Sequence, residues 1–408
     1  MVMNRRNFCL AGGAALASLL GSGSLTAAAP RVRPDAAPAA FPAHAAAGPV
    51  AIRDIQIAQI EDEYACNLVR ITTDAGIIGY GEARPKSSDY LKTVLTLRPL
   101  LIGRDPLQIE LLTREMIATE AAKPTLLMGA IAGIETALWD LAGKILETPC
   151  YNLMGGAIRK RIRAYYDVSP AGTPKTTDPG PWVERAQEAV AAGFTAVKFD
   201  IYRGGGDVPE WLTILQAIRH AIGSDIDLAV DLHWRLSLDQ SLSLARGARE
   251  LKLWFIEDPM KYKQTAAYHE LITSCDTPIL ALENLQTLEQ FHDLIQQKIC
   301  TMFSPDAQYC AGLRTFKRVA DLGELYGLRI TCHNMASPLG TFAQAHACAT
   351  IHTFDAIENA CADRVIRHDG PLYDRGHLVL SDRPGFGVEL DEDYCRRHLA
   401  NGSSFFGK

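Results

Sequence analysis

Short apolar runs, each closed by an ionisable residue, recur between Lys198 and Glu358. They read AVKFD, LAVDLH, LWFIEDP, ILALEN, MFSPDA, RITCHN and AIEN. From Asp231 the steps to Glu257, Glu283, Asp306, His333 and Glu358 are 26, 26, 23, 27 and 25 residues. A strand, a loop, a helix and a return loop fill about 25 residues, so the period predicts successive βα units. Eight strands are placed this way, at IRAYY, AVKFD, DLAVD, LWFIE, PILAL, MFSPD, RITCH and AIEN. Helical segments such as WVERAQEAVAAG and RTFKRVADLGELYG lie between them, several stopped by a glycine. One ionisable group per strand end predicts convergence on the mouth of an α/β barrel, where (β/α)8 folds carry their chemistry.

The pattern differs on either side of this stretch. From Ala51 it alternates, as IRDIQIAQI, ACNLVRITTD and GIIGYGEA, with a hairpin turn at Thr73-Asp74-Ala75-Gly76. GAIAGIETALWDLAGKIL then reads as a helix with Ile131, Ile134, Leu138, Leu141 and Ile145 on one face. The expected organisation is an α+β capping domain over 51–158 and a (β/α)7β barrel over 159–362. The remaining segment, 363–408, loses the period and is expected to leave the barrel and return to the capping domain.

Composition narrows the class. The 408 residues are 48% hydrophobic and 22% charged, ordinary for a soluble protein with a large core. The net charge of -6, without a basic run past the N-terminus, argues against nucleic acid as a partner. Arg5-Arg6, an apolar stretch from Phe8 to Leu20 and Ala27-Ala28-Ala29 follow the order of an export signal over residues 1–29. The paired arginines resemble a twin-arginine signal, which predicts a periplasmic or exported protein with no membrane span in its mature form. Residues 30–50, rich in Pro and Ala, read as a linker. Of ten cysteines, Cys9 lies in the signal; the others form no CxxC pair and read as small buried hydrophobes.

Asp231, Glu257 and Glu283 close three consecutive strands, the third to the fifth. Adjacent strands lie about 4.8 Å apart, so the three carboxylates can converge. Their mutual repulsion calls for a cation, and all-oxygen ligation favours a hard divalent ion such as Mg²⁺. Asp306 and His333 close the sixth and seventh strands; a carboxylate bonded to imidazole makes a general base. Lys198 and Asp200 share a face of the second strand, and His233 shares one with Asp231 on the third. Lys198 is a candidate acid, base or oxyanion binder, and His233 a candidate proton donor to a leaving group. Glu358 reads either as an oxyanion partner or as half of a salt bridge.

This order of three acids, an Asp–His dyad and a final Glu, with the GEA strand and WDLAGK helix upstream, resembles the enolase superfamily and its mandelate racemase subgroup. The resemblance covers about residues 51–400. It implies Asp231, Glu257 and Glu283 as ligands of Mg²⁺, His333 with Asp306 as the base that takes a proton α to a carboxylate, and Glu358 beside the resulting enediolate. Where racemases of the subgroup carry Lys-x-Lys, this chain has Lys198 and Asp200. Its third strand instead carries Asp-x-His, which resembles the acid-sugar dehydratases, with His233 assisting departure of the β-hydroxyl. The expected function is therefore a Mg²⁺-dependent dehydratase of an aldonate-type sugar acid, a lyase. Asp200, Arg235 and capping loops near 61–66 and 84–90 are the expected substrate contacts, and the family implies a homo-oligomer. The alternatives are a 2-hydroxy-acid epimerase or racemase using Lys198, and an exported binding protein without catalysis.

Overall fold

The alternating segment forms three antiparallel strands, β1 (Ile52–Glu61), β2 (Ala65–Thr73) and β3 (Ile78–Ala83), in the order β1-β2-β3. Gly76 turns the second hairpin with φ 78°, its N–H donating to Thr73 O at 3.1 Å. Helices α1 (Asp89–Leu97), α2 (Ile109–Ile117) and α3 (Pro124–Ile145) pack on this sheet. The contact between β3 and α3 is close because Gly81 has no side chain: a Cβ there would lie 2.2 Å from Gly133 O. The predicted single apolar face of α3 is an underestimate. Residues on every side of it are buried, because α3 lies between the sheet and the barrel. This is a computed structural model describing residues 50–61, 65–85, 87–119, 122–169, 177–201, 206–359, 364–368 and 371–407. The export signal and nearly all of the linker lie outside the described residues.

The barrel strands are β4 (Arg161–Asp167), β5 (Ala196–Asp200), β6 (Asp227–Asp231), β7 (Ile256–Glu257), β8 (Ile279–Ala281), β9 (Met302–Phe303), β10 (Arg329–Cys332) and β11 (Phe354–Glu358). All eight pair in parallel, and β11 closes on β4 through Ile357↔Ala164 and Glu358↔Tyr165. Tyr165, Ala196, Ala229, Trp254, Phe255, Leu280, Met302 and Ala356 form a separate apolar cluster. Its mix of small and aromatic residues is what filling a tapering lumen requires.

Three short strands follow, β12 (Ile366–Arg367), β13 (His377–Val379) and β14 (Glu389–Leu390). The expectation that this segment leaves the barrel needs a correction for β13, which pairs antiparallel with Arg161–Arg163 of β4. Strand β4 begins ahead of its neighbour β11, whose pairing starts at Ala164, so its first residues have an edge for β13 to fill. The last residues then run along the outer edge of β1. Leu399 bridges Ile60, the Ala400 N–H donates to Gln59 O (2.9 Å), and the Phe406 N–H donates to Ile57 O (3.2 Å).

Two features of the core follow from its polar groups. All eight described cysteines are free thiols and seven are buried. His346, on the helix Pro338–Cys348, is buried with Nδ1 accepting from Tyr151 N (3.2 Å) and Nε2–H donating to Phe386 O (3.1 Å). Burial lowers its pKa from 6.5 to about 4. Between those pH values the unfolded chain binds a proton that the folded state refuses. Stability from this group is complete above about pH 6.5 and falls by about 3 kcal/mol as the pH drops to about 4. The expected outcome is that denaturant midpoints measured from pH 7 to 4.5 decline less steeply for His346→Gln than for the wild type.

Candidate active site

Strand periodicity carries the ionisable groups inward. Lys198, Asp231, Glu257 and Glu358 each lie two residues beyond a lumen residue, namely Ala196, Ala229, Phe255 and Ala356. Register then sets them level: Asp200 pairs with Asp231 across β5 and β6, and Asp231 with Glu257 across β6 and β7. Glu283 reaches the same place by another route. Alternation from Leu280 would send residue 282 inward, but Leu282 has φ 86° and packs in the outer core. Four of the ten described non-glycine residues with positive φ are His233, Trp234, Asp258 and Leu282, all within three positions of these carboxylates. Such backbone costs about 1–3 kcal/mol per residue and concentrates where side chains must be re-aimed.

Oxygens of Asp231, Glu257 and Glu283 lie within 4.8 Å of one another, and all three residues are buried. Burial first, and then the neighbouring acids, push the Glu257 carboxyl upward; Glu257 Oε1 has no hydrogen-bond partner among the described residues. Three oxygen donors crowded out of water, one of them unsatisfied, fit a hard divalent cation.

Lys198 Nζ stands 3.3 Å from Asp231 Oδ2, 3.0 Å from Glu257 Oε2 and 2.9 Å from Glu358 Oε1. Burial works to lower its pKa, but Glu257, Glu358, Tyr165 and Asp231 together hold it well above the usual lysine value. Lys198 is therefore a fixed cation here rather than a lysine of lowered pKa. Glu358 takes the salt-bridge arrangement of its two sequence alternatives.

Two histidine–carboxylate pairs flank the cluster. On the β9–β10 side, His333 Nδ1–H donates to Asp306 Oδ2 (2.7 Å), while Asp306 Oδ1 accepts from Gln308 N (2.7 Å). Gln344 ties the two loops together, accepting from Ala307 N (2.7 Å) and donating to His333 O (2.9 Å). His333 Nε2 is left toward the cluster, 3.8 Å from Glu283 Oε2. On the β5–β6 side, His233 Nε2–H donates to Asp200 Oδ1 (2.8 Å) and lies 3.5 Å from Asp231 Oδ2. Burial lowers the His233 pKa, but the Asp200 bond and the charges of Asp231, Asp200 and Glu283 outweigh it and raise the ring to about 9. Asp200, expected at the substrate, is thus engaged with a histidine, and Arg235 is exposed beyond the same turn.

Sequence reasoning passed over several groups. Asp167 ends β4 one step past the IRAYY run, accepting from Ser169 N (2.8 Å) and Ser169 Oγ (2.6 Å). Burial and then the Asp200 charge push it up to about 7. Its terminal position in IRAYYD was the available signal. Two capping-domain carboxylates had none, because they act across the chain. Glu82 accepts from Ser337 N (3.0 Å), Ser337 Oγ (2.6 Å) and Gly340 N (3.2 Å), at the start of the helix that follows His333. Glu135 of α3 accepts from Leu313 N (2.8 Å) and Arg314 N (2.9 Å), at the start of the helix that follows Asp306. Both use the unpaired N–H groups of a helix N-terminus. Glu82→Ala would leave three buried donors unpaired, so chemical denaturation should show a loss on the order of 3–5 kcal/mol. A loss below about 1 kcal/mol would count against this account of the domain junction.

Residues 43–155 match the model for the mandelate racemase/muconate lactonizing enzyme N-terminal domain, and residues 182–394 match the enolase C-terminal domain-like model. A D-xylonate dehydratase of Haloferax volcanii is 29% identical, covering 87% of this chain and 90% of that protein. A D-gluconate/D-galactonate dehydratase of Picrophilus torridus is 28% identical over 84% of this chain and 90% of its own. The crystal structure of a mandelate racemase/muconate lactonizing enzyme-like protein from Rubrobacter xylanophilus superposes with TM-score 0.81 at 32% identity, covering 88% of this chain and all of that one.

Proposed function

Because the chain belongs to the mandelate racemase/muconate lactonizing enzyme family of the enolase superfamily, we propose that it dehydrates an aldonate-type sugar acid to the 2-keto-3-deoxy acid. The observation that carries this reading is the pair of histidines on opposite sides of one carboxylate cluster, each bonded to an aspartate. A β-elimination needs two proton-handling groups with opposite tasks, one removing the α-proton and one donating to the departing hydroxyl.

Asp231, Glu257 and Glu283 would hold the divalent ion, assigned as Mg²⁺ from the all-oxygen donors. When bound it supplies positive charge opposite the substrate carboxylate and offsets the Glu283 charge that bears on His333. His333 Nε2 takes the proton from C2, with Nδ1–H fixed by Asp306. The C2 electrons pass first into the carboxylate. Lys198, held cationic, stands beside the negative charge that develops there. As those electrons return to form the C2–C3 double bond, the C3–O bond breaks and the protonated His233 ring supplies the proton that makes water. The enol then becomes the ketone.

The dehydratase reading is favoured over the epimerase one because Lys198 is committed to three carboxylates and Asp200 occupies the position of a second lysine. A screen of purified protein with Mg²⁺ against sugar acids, read by 2-keto-3-deoxy products, tests it. Epimerised acids without keto product would overturn it. His233→Asn should lose dehydration by about 10²-fold or more while exchange of the α-proton with deuterium oxide continues. Equal loss of both activities would remove His233 from the second step. The Arg5-Arg6 signal supports placing the reaction outside the cytoplasm.

A further inference from the structure

Arg84 follows β3 on the capping loop that faces the barrel mouth, and its backbone is fastened on both sides. Asn67, itself buried, donates Nδ2–H to the carbonyls of Arg84 (2.7 Å) and Ser87 (2.9 Å). The Arg84 N–H donates to Gly129 O at 3.2 Å. Its guanidinium carbon lies 3.7 Å from the centroid of the Tyr309 ring. That ring meets His333 edge-on, with centroids 5.4 Å apart and planes at 79°. One aromatic ring therefore separates a guanidinium on the capping domain from the base on the barrel.

The surroundings of this guanidinium are unusual among the described half-buried arginines. Arg104, Arg163, Arg185 and Arg314 reach carboxylates, and Arg159 and Arg219 reach backbone carbonyls. Half-buried Arg84 meets only the rings of Tyr309 and Tyr90, and among the described residues no acid or hydrogen-bond acceptor reaches it. A guanidinium offers five N–H donors in a planar fork, and partial burial restricts the water that would otherwise satisfy them. Stacking on Tyr309 fixes the plane of the fork. Oxygen atoms of a molecule held at His333 are the natural partners.

We infer that Arg84 is a specificity residue that hydrogen-bonds the polyhydroxy chain of the substrate on the His333 side. This rests on the sugar-acid reading above and adds the residue and the side of the site that read the chain. The ligand it selects is a 2,3-dihydroxy acid extended by further hydroxylated carbons. Glycerate carries both reacting positions, the C2–H and the C3–OH, but lacks that extension.

The test compares D-gluconate and D-xylonate with D-glycerate, in Arg84→Met and Arg84→Lys. Methionine keeps an unbranched chain against Tyr309 without donors, and lysine keeps the charge without the fork. Affinity is read by calorimetry in the His333→Asn background with Mg²⁺ present, and KM and kcat are read in the otherwise native protein. Arg84→Met should lower the preference for the long acids over glycerate by about 10- to 100-fold, through KM more than kcat, with Arg84→Lys between it and wild type. A preference unchanged within about twofold in Arg84→Met, or an equal loss for all three acids, would overturn the assignment. A shifted binding preference in a protein that forms no keto acid would remove the dehydratase reading and leave the Arg84 assignment standing.

Discussion

Substituting His333 by asparagine is expected to lower kcat by about three orders of magnitude or more, and to stop exchange of the substrate α-proton with solvent deuterium. Both losses follow from one atom. Nδ1 is committed to Asp306 at 2.7 Å, so Nε2 is the nitrogen turned to the cluster, and asparagine places no proton acceptor of comparable basicity there. Asparagine can still present an amide N–H to Asp306, so the buried carboxylate keeps a partner and the fold should survive. Substrate affinity should change far less than kcat, because the loss falls on the step and not on the contacts. Asp306→Asn is a useful companion, since it disturbs the tautomer of an intact ring. Deuterium exchange in His333→Asn within tenfold of wild type would show that another group removes the proton.

The second large effect is expected from the three carboxylates. Chelation should abolish turnover and lower Tm, and added Mg²⁺ should restore both. A ligand present at 1,000 times its Kd stabilises a folded protein by about 4 kcal/mol, which for a chain of this size corresponds to a Tm change of about 5 °C. Glu257→Gln should lose more than about 10³-fold in activity and most of the Mg²⁺-dependent gain in Tm, because the amide keeps the shape and discards the charge. A chelated protein that turns over sugar acid at the wild-type rate would exclude a resident cation from the reaction.

The parts of this site that were legible in the sequence are those governed by strand period. Lys198, Asp231, Glu257 and Glu358 each stand two positions past an inward residue, so their common face could be read from alternation alone. Glu283 was found from spacing, although strict alternation would have turned it outward. The left-handed backbone at Leu282 corrects its direction. The bond between Asp200 and His233 was hidden for a similar reason, since His233 and Trp234 both have positive φ and no glycine marks the turn. For Lys198 the sequence leaves open a titrating acid or base and a fixed cation, because the number of carboxylates reaching one nitrogen depends on side-chain geometry inside the barrel. Glu82 and Glu135 left no local trace at all. Their partners lie 255 and 178 residues away, and an acid inside an apolar strand or helix looks like any other until the helix N-terminus it faces is known.

The seam between β1 and the final residues has a consequence for synthesis. Strand β1 is among the first structured segments to leave the ribosome, yet the second half of its outer edge is bonded to residues from the far end of the chain, His398, Leu399, Ala400, Ser403 and Phe406. Roughly 340 residues separate the two, which at about 5–20 residues per second leaves that edge uncovered for on the order of 20–70 s. A nascent chain with an open edge strand is a template for pairing with other chains. Aggregation during expression should therefore respond more to truncation of the last ten residues than to changes of equal size elsewhere on the surface.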